Sequence, residues 1–316
     1  MTLTSTFNCA LPAAWRVLCL PLAAAVLLTA CGGGGGGSSS PTTPTNQPPV
    51  AAAKLGGEAV LQATTLFDIT GTADVDGSIT SRSWAYGDGQ TGSADSHIYT
   101  ATGSYVATLT VTDNSGVSAS TTVQVTVAKC SSAGTQDARR SPFTTLCVQT
   151  SRGEMVFELY AAQAPLTTAN FLRYVDKGFY SGLLFHRVLH EGDPNAPGGV
   201  IQSGGFLPGL VPKVTSDPAI PLESNNGLKN SPYTIGMARL AAPDSATSQF
   251  YINPLDNHGF DYSAAQAAPN GYAVFGLVIS GTSVVDAIAS VATTSAGGLT
   301  GVPVQNVLIR SIVRLP

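Results

Sequence analysis

Regular alternation of apolar and polar residues is the feature that most limits the folds open to this chain. In segments 105–112 and 122–127 the apolar residues stand at every second position. Alternate side chains of a β-strand point to opposite faces, so each segment is predicted to be a strand with one buried face. Asp- and Gly-containing turns at 76–77, 87–89 and 113–116 separate such strands. Residues 50–128 are therefore predicted to form a β-sandwich.

Four motifs in this region resemble the polycystic-kidney-disease (PKD) type of domain. They are Trp84-Ala85-Tyr86-Gly87-Asp88-Gly89, His97-Ile98-Tyr99, Gly103-Ser104-Tyr105 and Leu109-Thr110-Val111-Thr112-Asp113. The resemblance implies an immunoglobulin-like sandwich that serves as a spacer, with Trp84 in its core. Asp74, Asp76 and Asp88 are interpreted as turn formers, and calcium binding by them is the alternative.

The N-terminus has the pattern of a secretory signal. Arg16 is the only charged residue in 1–30. It precedes an apolar run, 17–28, that is shorter than a typical membrane-spanning helix. Leu28-Thr29-Ala30-Cys31 resembles the bacterial lipobox, which implies cleavage before Cys31 and lipid attachment to it. The alternative is an ordinary signal followed by a chance cysteine.

A flexible tether is predicted at 31–49, because six glycines, three serines and a Pro/Thr stretch follow one another. We therefore expect a lipid-anchored protein of the bacterial envelope, facing the periplasm or lying in the outer membrane. Nucleic acid is not an expected partner: 15 Lys and Arg stand against 19 Asp and Glu, and no basic cluster is present.

Two cysteines, Cys130 and Cys147, remain after the signal and the anchor are set aside. An even pair in an exported protein predicts a disulfide, with two free thiols as the alternative. The bond would join a short polar linker, 129–142, to the first strand of a second domain, 143–316.

The second domain combines strands with two short helices. Strands are predicted at 155–159, 272–279 and 304–313, and helices at about 166–177 and 283–291, the second with a capping box formed by Ser283 and Asp286. The whole chain is thus predicted to be mainly β, with a closed antiparallel β-barrel and two capping helices following the sandwich.

Six ordered motifs in this domain resemble the cyclophilins, particularly the bacterial periplasmic branch. They are Gly178-Phe179-Tyr180, Leu184-Phe185-His186-Arg187-Val188, Ile201-Gln202-Ser203-Gly204-Gly205, Gly236-Met237-Ala238-Arg239, Asp244 to Ile252, and Tyr272-Ala273-Val274-Phe275-Gly276. The resemblance implies a peptidyl-prolyl cis/trans isomerase whose partners are proline-containing polypeptides. Rotation about a peptide bond breaks no bond, so no cofactor and no metal are expected. His186, His190 and Glu191 lack the usual zinc-protease order.

The resemblance also implies roles for individual residues. Arg187 would donate to the prolyl nitrogen, Gln202 and the main-chain N–H of Arg239 would hold the substrate carbonyl, and Gln249 would orient Arg187 or contact the substrate. The remaining predicted substrate-binding residues are His186, Val200, Ala238, Tyr251, Phe260 and Tyr272. A Pro-rich insertion, 192–198, follows Arg187, and we expect its loop to narrow or cover the site.

The sequence leaves two alternatives to catalysis open. The barrel could hold extended proline-containing segments as a non-catalytic, chaperone-like module with a degraded site. A structural role is the second alternative, with the PKD-like domain as an adhesive or glycan-binding part.

Overall fold

The structure is a computed structural model that describes residues 45–215, 217–267 and 270–316. The predicted signal, Cys31 and most of the tether lie outside these residues. Among the helices described, none has the length and apolar character needed to cross a membrane.

The N-terminal domain is a sandwich of two sheets with strand orders β1-β3-β6 and β2-β8-β7-β4-β5. Its strands are β1 (Lys54–Leu55), β2 (Ala59–Val60), β3 (Thr64–Asp68), β4 (Ile79–Ala85), β5 (Thr91–Gly92), β6 (Ser96–Ile98), β7 (Gly103–Asp113) and β8 (Ser118–Ala128). The alternation seen in the sequence places every second residue of β7 and β8 in the core. Trp84 is 1% exposed and stacks on Phe67 with centroids 4.4 Å apart, so it is a core residue as predicted.

Two of the three aspartates considered for calcium accept main-chain hydrogen bonds. Asp88 accepts the Gln90 N–H at 3.1 Å and contacts His97 at 2.7 Å, and Asp76 accepts the Gln47 N–H at 3.0 Å. Within the described ranges, the only close group of three potential ligands is Cys130, Cys147 and Glu154, and its two cysteines are bonded to each other.

The predicted linker is instead mostly helical. Helix α1 (Ser132–Arg140) begins after Ser131, whose hydroxyl accepts the Gly134 N–H at 3.0 Å. This N-cap satisfies one of the free donors of the first turn. Glu154 accepts from both the N–H and the hydroxyl of Ser131, and so fixes the start of the helix to the second domain.

A disulfide and several polar contacts connect the two domains. Cys130 and Cys147 are bonded, with Cα atoms 5.8 Å apart. Ser132 N–H donates to Glu58 at 2.7 Å, and Arg310 donates to the carbonyl of Gln62 at 3.0 Å. Residues 46–316 accordingly form one compact unit.

The C-terminal domain is built on one antiparallel sheet with the order β11-β12-β16-β15-β17-β10-β9-β20. Its strands are β9 (Thr144–Thr150), β10 (Gly153–Leu159), β11 (Phe185–Asp193), β12 (Ala196–Ser203), β13 (Phe206–Leu207), β14 (Val211–Pro212), β15 (Thr234–Met237), β16 (Phe250–Ile252), β17 (Val274–Ser280), β18 (Thr293–Ala296), β19 (Leu299–Pro303) and β20 (Ile309–Arg314). The short pairs β13-β14 and β18-β19 form separate sheets.

Strand pairing does not close this sheet into the predicted barrel. The end strands β11 and β20 do not pair along their length. Their neighbouring segments meet only at an isolated bridge, Leu184 with Leu308, and through bonds such as Phe185 N–H to the Val307 carbonyl at 2.8 Å. The sheet is therefore curved and mainly β as predicted, but open by strand pairing.

Two helices pack on this sheet, as predicted. Helix α2 (Pro165–Asp176) starts with a proline at N1, and Glu223 accepts the N–H groups of Leu166 and Thr167. Helix α3 (Thr282–Ala289) is preceded by Gly281 with φ of 79° and has no side-chain cap. The predicted capping box is therefore wrong, because Ser283 already lies inside the first turn.

Candidate active site

A cavity of about 240 Å³ lies on the outer face of the sheet, where the adjacent strands β11, β12 and β16 and the ends of β15 and β17 meet. Most predicted site residues line it, although the sequence scatters them over more than eighty positions. The lining consists of Arg187, Leu189, Asn195, Val200, Gln202, Ala238, Arg239, Tyr251, Phe260 and Tyr272. A larger apolar groove of about 380 Å³ lies beyond Leu189 and contains none of the other nine.

Arg187 reaches the cavity because of an irregularity in β11. Phe185 pairs with Ser203 and Arg187 with Gln202, so His186 is an extra residue in the ladder. A bulge of this kind re-aims side chains near functional sites. It leaves Phe185 and His186 buried while Arg187 is half-buried at the cavity wall. Among the described residues no carboxylate pairs with the Arg187 guanidinium, which leaves its donors available to a ligand.

Gln202 and Gln249 are joined side by side. The Gln202 amide Nε2 donates to Gln249 Oε1 at 2.9 Å. A Cβ atom at Gly205 would come within 2.8 Å of the Gln249 amide, so a side chain at this position would displace that amide. Gln249 itself is outside the lining and acts on the cavity through Gln202.

The ring of Tyr251 forms the floor of the cavity, and its hydroxyl points into the protein interior. The hydroxyl donates to Asn230 Oδ1 at 2.6 Å, and burial raises the pKa of Tyr251 well above its usual value. A Cβ atom at Gly236 would overlap the tyrosine ring, so the ring position depends on that glycine. Phe260 and Tyr272 meet the ring edge-on, with centroids 5.9 and 6.0 Å away.

Arg239 and Tyr272 form the opposite wall. The Arg239 guanidinium carbon lies 4.7 Å from the Tyr272 ring centroid. Its Nε and Nη2 donate to the Gly271 carbonyl at 3.1 and 2.9 Å. Ala238 N–H donates to the Gln249 carbonyl at 3.0 Å, which positions the segment that carries the Arg239 main-chain N–H.

His186 does not occupy the substrate-binding position predicted for it. It is 2% exposed, stacks on Phe206 with centroids 4.6 Å apart and is absent from the cavity lining. Burial is the main cause that lowers the pKa of His186 to about 4, so the ring is neutral near pH 7. Its position follows from the bulge, which turns it away from Arg187.

The Pro-rich insertion forms an ordered hairpin. β11 and β12 continue their pairing to Asp193 and Ala196, so only Pro194 and Asn195 make the turn. Asn195 and Leu189 line the cavity, and both were missed from the sequence. Continuation of the strand pattern past Leu189 was the signal that could have placed them. The hairpin adds a wall to the cavity, and the cavity remains open to a ligand.

Comparison with known proteins decides the family. Residues 145–314 match the model of the cyclophilin type peptidyl-prolyl cis-trans isomerases, which is more than half of the chain. The chain belongs to this family. Residues 46–127 match the PKD domain, so the sequence resemblances to both families are confirmed.

Bacterial isomerases are among its relatives. Peptidyl-prolyl cis-trans isomerase cyp18 of Streptomyces antibioticus is 46% identical over 53% of this chain and 96% of its own length. Peptidyl-prolyl cis-trans isomerase B of Escherichia coli is 44% identical over 52% of this chain and 94% of its own length. A peptidyl-prolyl cis-trans isomerase of Acinetobacter baylyi is 45% identical over 52% of this chain and 82% of its own length. All three alignments span about half of this chain, the length of its cyclophilin domain.

Proposed function

We propose that the cyclophilin domain isomerises X-Pro bonds of exported polypeptides, and that a lipid on Cys31 holds it at the bacterial envelope. The observation that carries the catalytic part is the uncommitted guanidinium of Arg187 beside an apolar floor in a 240 Å³ cavity. The family relationship supports the same reaction.

Catalysis in this site requires no covalent step. The barrier to rotation, about 18–20 kcal/mol, comes from the partial double bond between carbon and nitrogen. The prolyl nitrogen has a localised lone pair only when the amide is twisted. Arg187 donates to that lone pair and therefore stabilises the transition state more than either ground state.

The other lining residues position the substrate for this step. Val200, Leu189 and the Tyr251 ring offer an apolar surface to the proline ring. Gln202, held by Gln249, presents its amide to the neighbouring carbonyl. The main-chain N–H of Arg239 serves the same purpose from the opposite wall.

The experiment is NMR exchange spectroscopy on an Ala-Pro peptide with the full chain. We expect wild type to accelerate cis/trans exchange and Arg187→Ala to lose most of that acceleration while still binding the peptide. Arg152→Ala, in an exposed turn outside the cavity, is the matched control. Equal exchange rates for wild type and Arg187→Ala would exclude this mechanism. Binding by wild type without faster exchange would favour a non-catalytic module.

The envelope location is supported by the Leu28–Cys31 motif and by the disulfide, a bond typical of oxidising compartments. Labelling of cells with an alkyne fatty acid should mark the wild-type chain and not Cys31→Ser. Label on both, or on neither, would remove the lipid anchor from the proposal.

A further inference from the structure

The lining of the cavity carries two positive charges and no negative charge. Two of its lining side chains, Arg187 and Arg239, are guanidinium groups, and none of the other eight is a carboxylate. No described salt bridge includes either arginine, so neither charge is neutralised by a partner within that part of the chain. A half-buried pair of like charges raises the local potential and attracts anionic groups of a ligand.

Arg239 is held rigidly although it lacks a counter-ion. Two of its nitrogens donate to the Gly271 carbonyl, and Nη1 donates to the carbonyls of Leu240 and Ala241 at 3.0 and 3.3 Å. The Tyr272 ring lies under the guanidinium. Carbonyl dipoles fix the position of the group but leave its full charge and one N–H unused. A charge held in place loses little side-chain entropy when it meets an anion.

The strand order separates the two arginines across the floor. Arg187 is on β11, at one end of the sheet, and Arg239 follows β15, beyond β12 and β16. In the proposed reaction Arg187 is engaged at the prolyl nitrogen. Arg239 is then the charge that faces the residues on either side of the proline.

We propose that Arg239 makes the enzyme prefer prolines flanked by an acidic residue, Asp or Glu, and this inference rests on the proposed function. The effect is that of a partly exposed ion pair. Such pairs correspond to a preference of roughly two- to fivefold in kcat/KM or in affinity for Glu over the isosteric Gln.

The experiment uses peptide pairs that differ only in charge at a flanking position, Ala-Glu-Pro-Ala against Ala-Gln-Pro-Ala and Ala-Pro-Glu-Ala against Ala-Pro-Gln-Ala. Catalysed exchange and Kd are measured in the same NMR titrations for each variant of the full chain. The readout is the Glu/Gln ratio within one variant, so any general loss of activity cancels.

We expect wild type and Arg239→Lys to prefer Glu in at least one position, and Arg239→Gln to bring both ratios close to one. Arg152→Gln removes an equal charge outside the cavity and should keep the wild-type ratio. The preference should shrink at an ionic strength of about 1 M, where the screening length is about 3 Å.

Two results would overturn the inference: ratios near one in wild type, or an unchanged preference in Arg239→Gln. Absence of exchange in every peptide would count against the proposed function instead. The ratios of the Kd values would then still decide whether Arg239 selects acidic neighbours.

Discussion

Replacing Tyr251 by Phe removes the hydroxyl and keeps the ring, so the contributions of the two groups can be measured separately. The hydroxyl is buried and donates to Asn230 Oδ1 at 2.6 Å, on the side away from the cavity. Loss of a buried hydrogen bond costs about 0.5–1.5 kcal/mol when no group is left without a partner. Asn230 Oδ1 keeps a second donor, Asn253 Nδ2 at 3.2 Å, so we expect a cost of about 1 kcal/mol.

Replacement of Asn230 by Ala should be more harmful. It leaves the Tyr251 hydroxyl buried without an acceptor and also removes the Asn230 Nδ2 bond to Asp261 at 3.0 Å. An unsatisfied buried donor alone costs about 1–3 kcal/mol, and a cavity is added, so we expect a total of about 3 kcal/mol or more.

Urea unfolding gives both free energies, and NMR exchange gives the activity of each variant. Tyr251→Phe should keep kcat/KM within about twofold of wild type, because the floor is formed by the ring. A tenfold loss of activity in Tyr251→Phe would show that the hydroxyl acts on the substrate. Equal destabilisation by the two variants would refute the assignment of the hydrogen bonds.

Three further predictions follow from the fold. Replacing Cys130 and Cys147 by Ser opens a loop with a sequence separation of 17 and should lower the free energy of unfolding by about 3 kcal/mol in urea titrations, and added reductant should do the same to wild type. Because the pKa of His186 falls from 6.5 to about 4 on folding, the unfolded chain binds more protons than the folded chain between these two pH values. The free energy of unfolding should therefore be highest above pH 6.5 and fall by roughly 3 kcal/mol toward pH 4. In urea titrations, His186→Gln should make this pH dependence weaker. A methyl group at Gly236 would overlap the Tyr251 ring, whereas one at Gly259 meets nothing within 4 Å, so Gly236→Ala should lose most exchange activity and Gly259→Ala should keep it.

The sequence predicted the chemistry of the site better than its geometry. Arg187, Gln202 and Tyr251 stand in continuous motifs, and those motifs fall on adjacent strands of the sheet. His186 was misplaced because a bulge depends on the ladder hydrogen bonds between two strands, which neighbouring residues do not reveal. Asn195 was missed because its part in the cavity depends on a turn only two residues long.

Local structure outside the site also depends on distant residues. The polar segment 131–141 forms a helix because Glu154 and a disulfide, both supplied by the second domain, hold its start. Glu223 caps α2 from a position more than fifty residues along the chain. Long-range partners of this kind outweigh local propensity, which is a weak guide by itself.

Most polar side chains around the cavity are held by hydrogen bonds, whereas the proposed catalytic group, Arg187, has no hydrogen-bond partner within the described residues. Asn230 holds the Tyr251 ring from behind, Gln249 holds Gln202, and three carbonyls of neighbouring loop residues hold Arg239. Donors fixed before the substrate arrives need no reorganisation as the amide twists, which is the condition for electrostatic catalysis. Arg187 alone has no partner in the described residues, so its hydrogen bonds are free to form at the twisted nitrogen. Because the lone pair is localised only in the twisted amide, this hydrogen bond favours the transition state over both ground states.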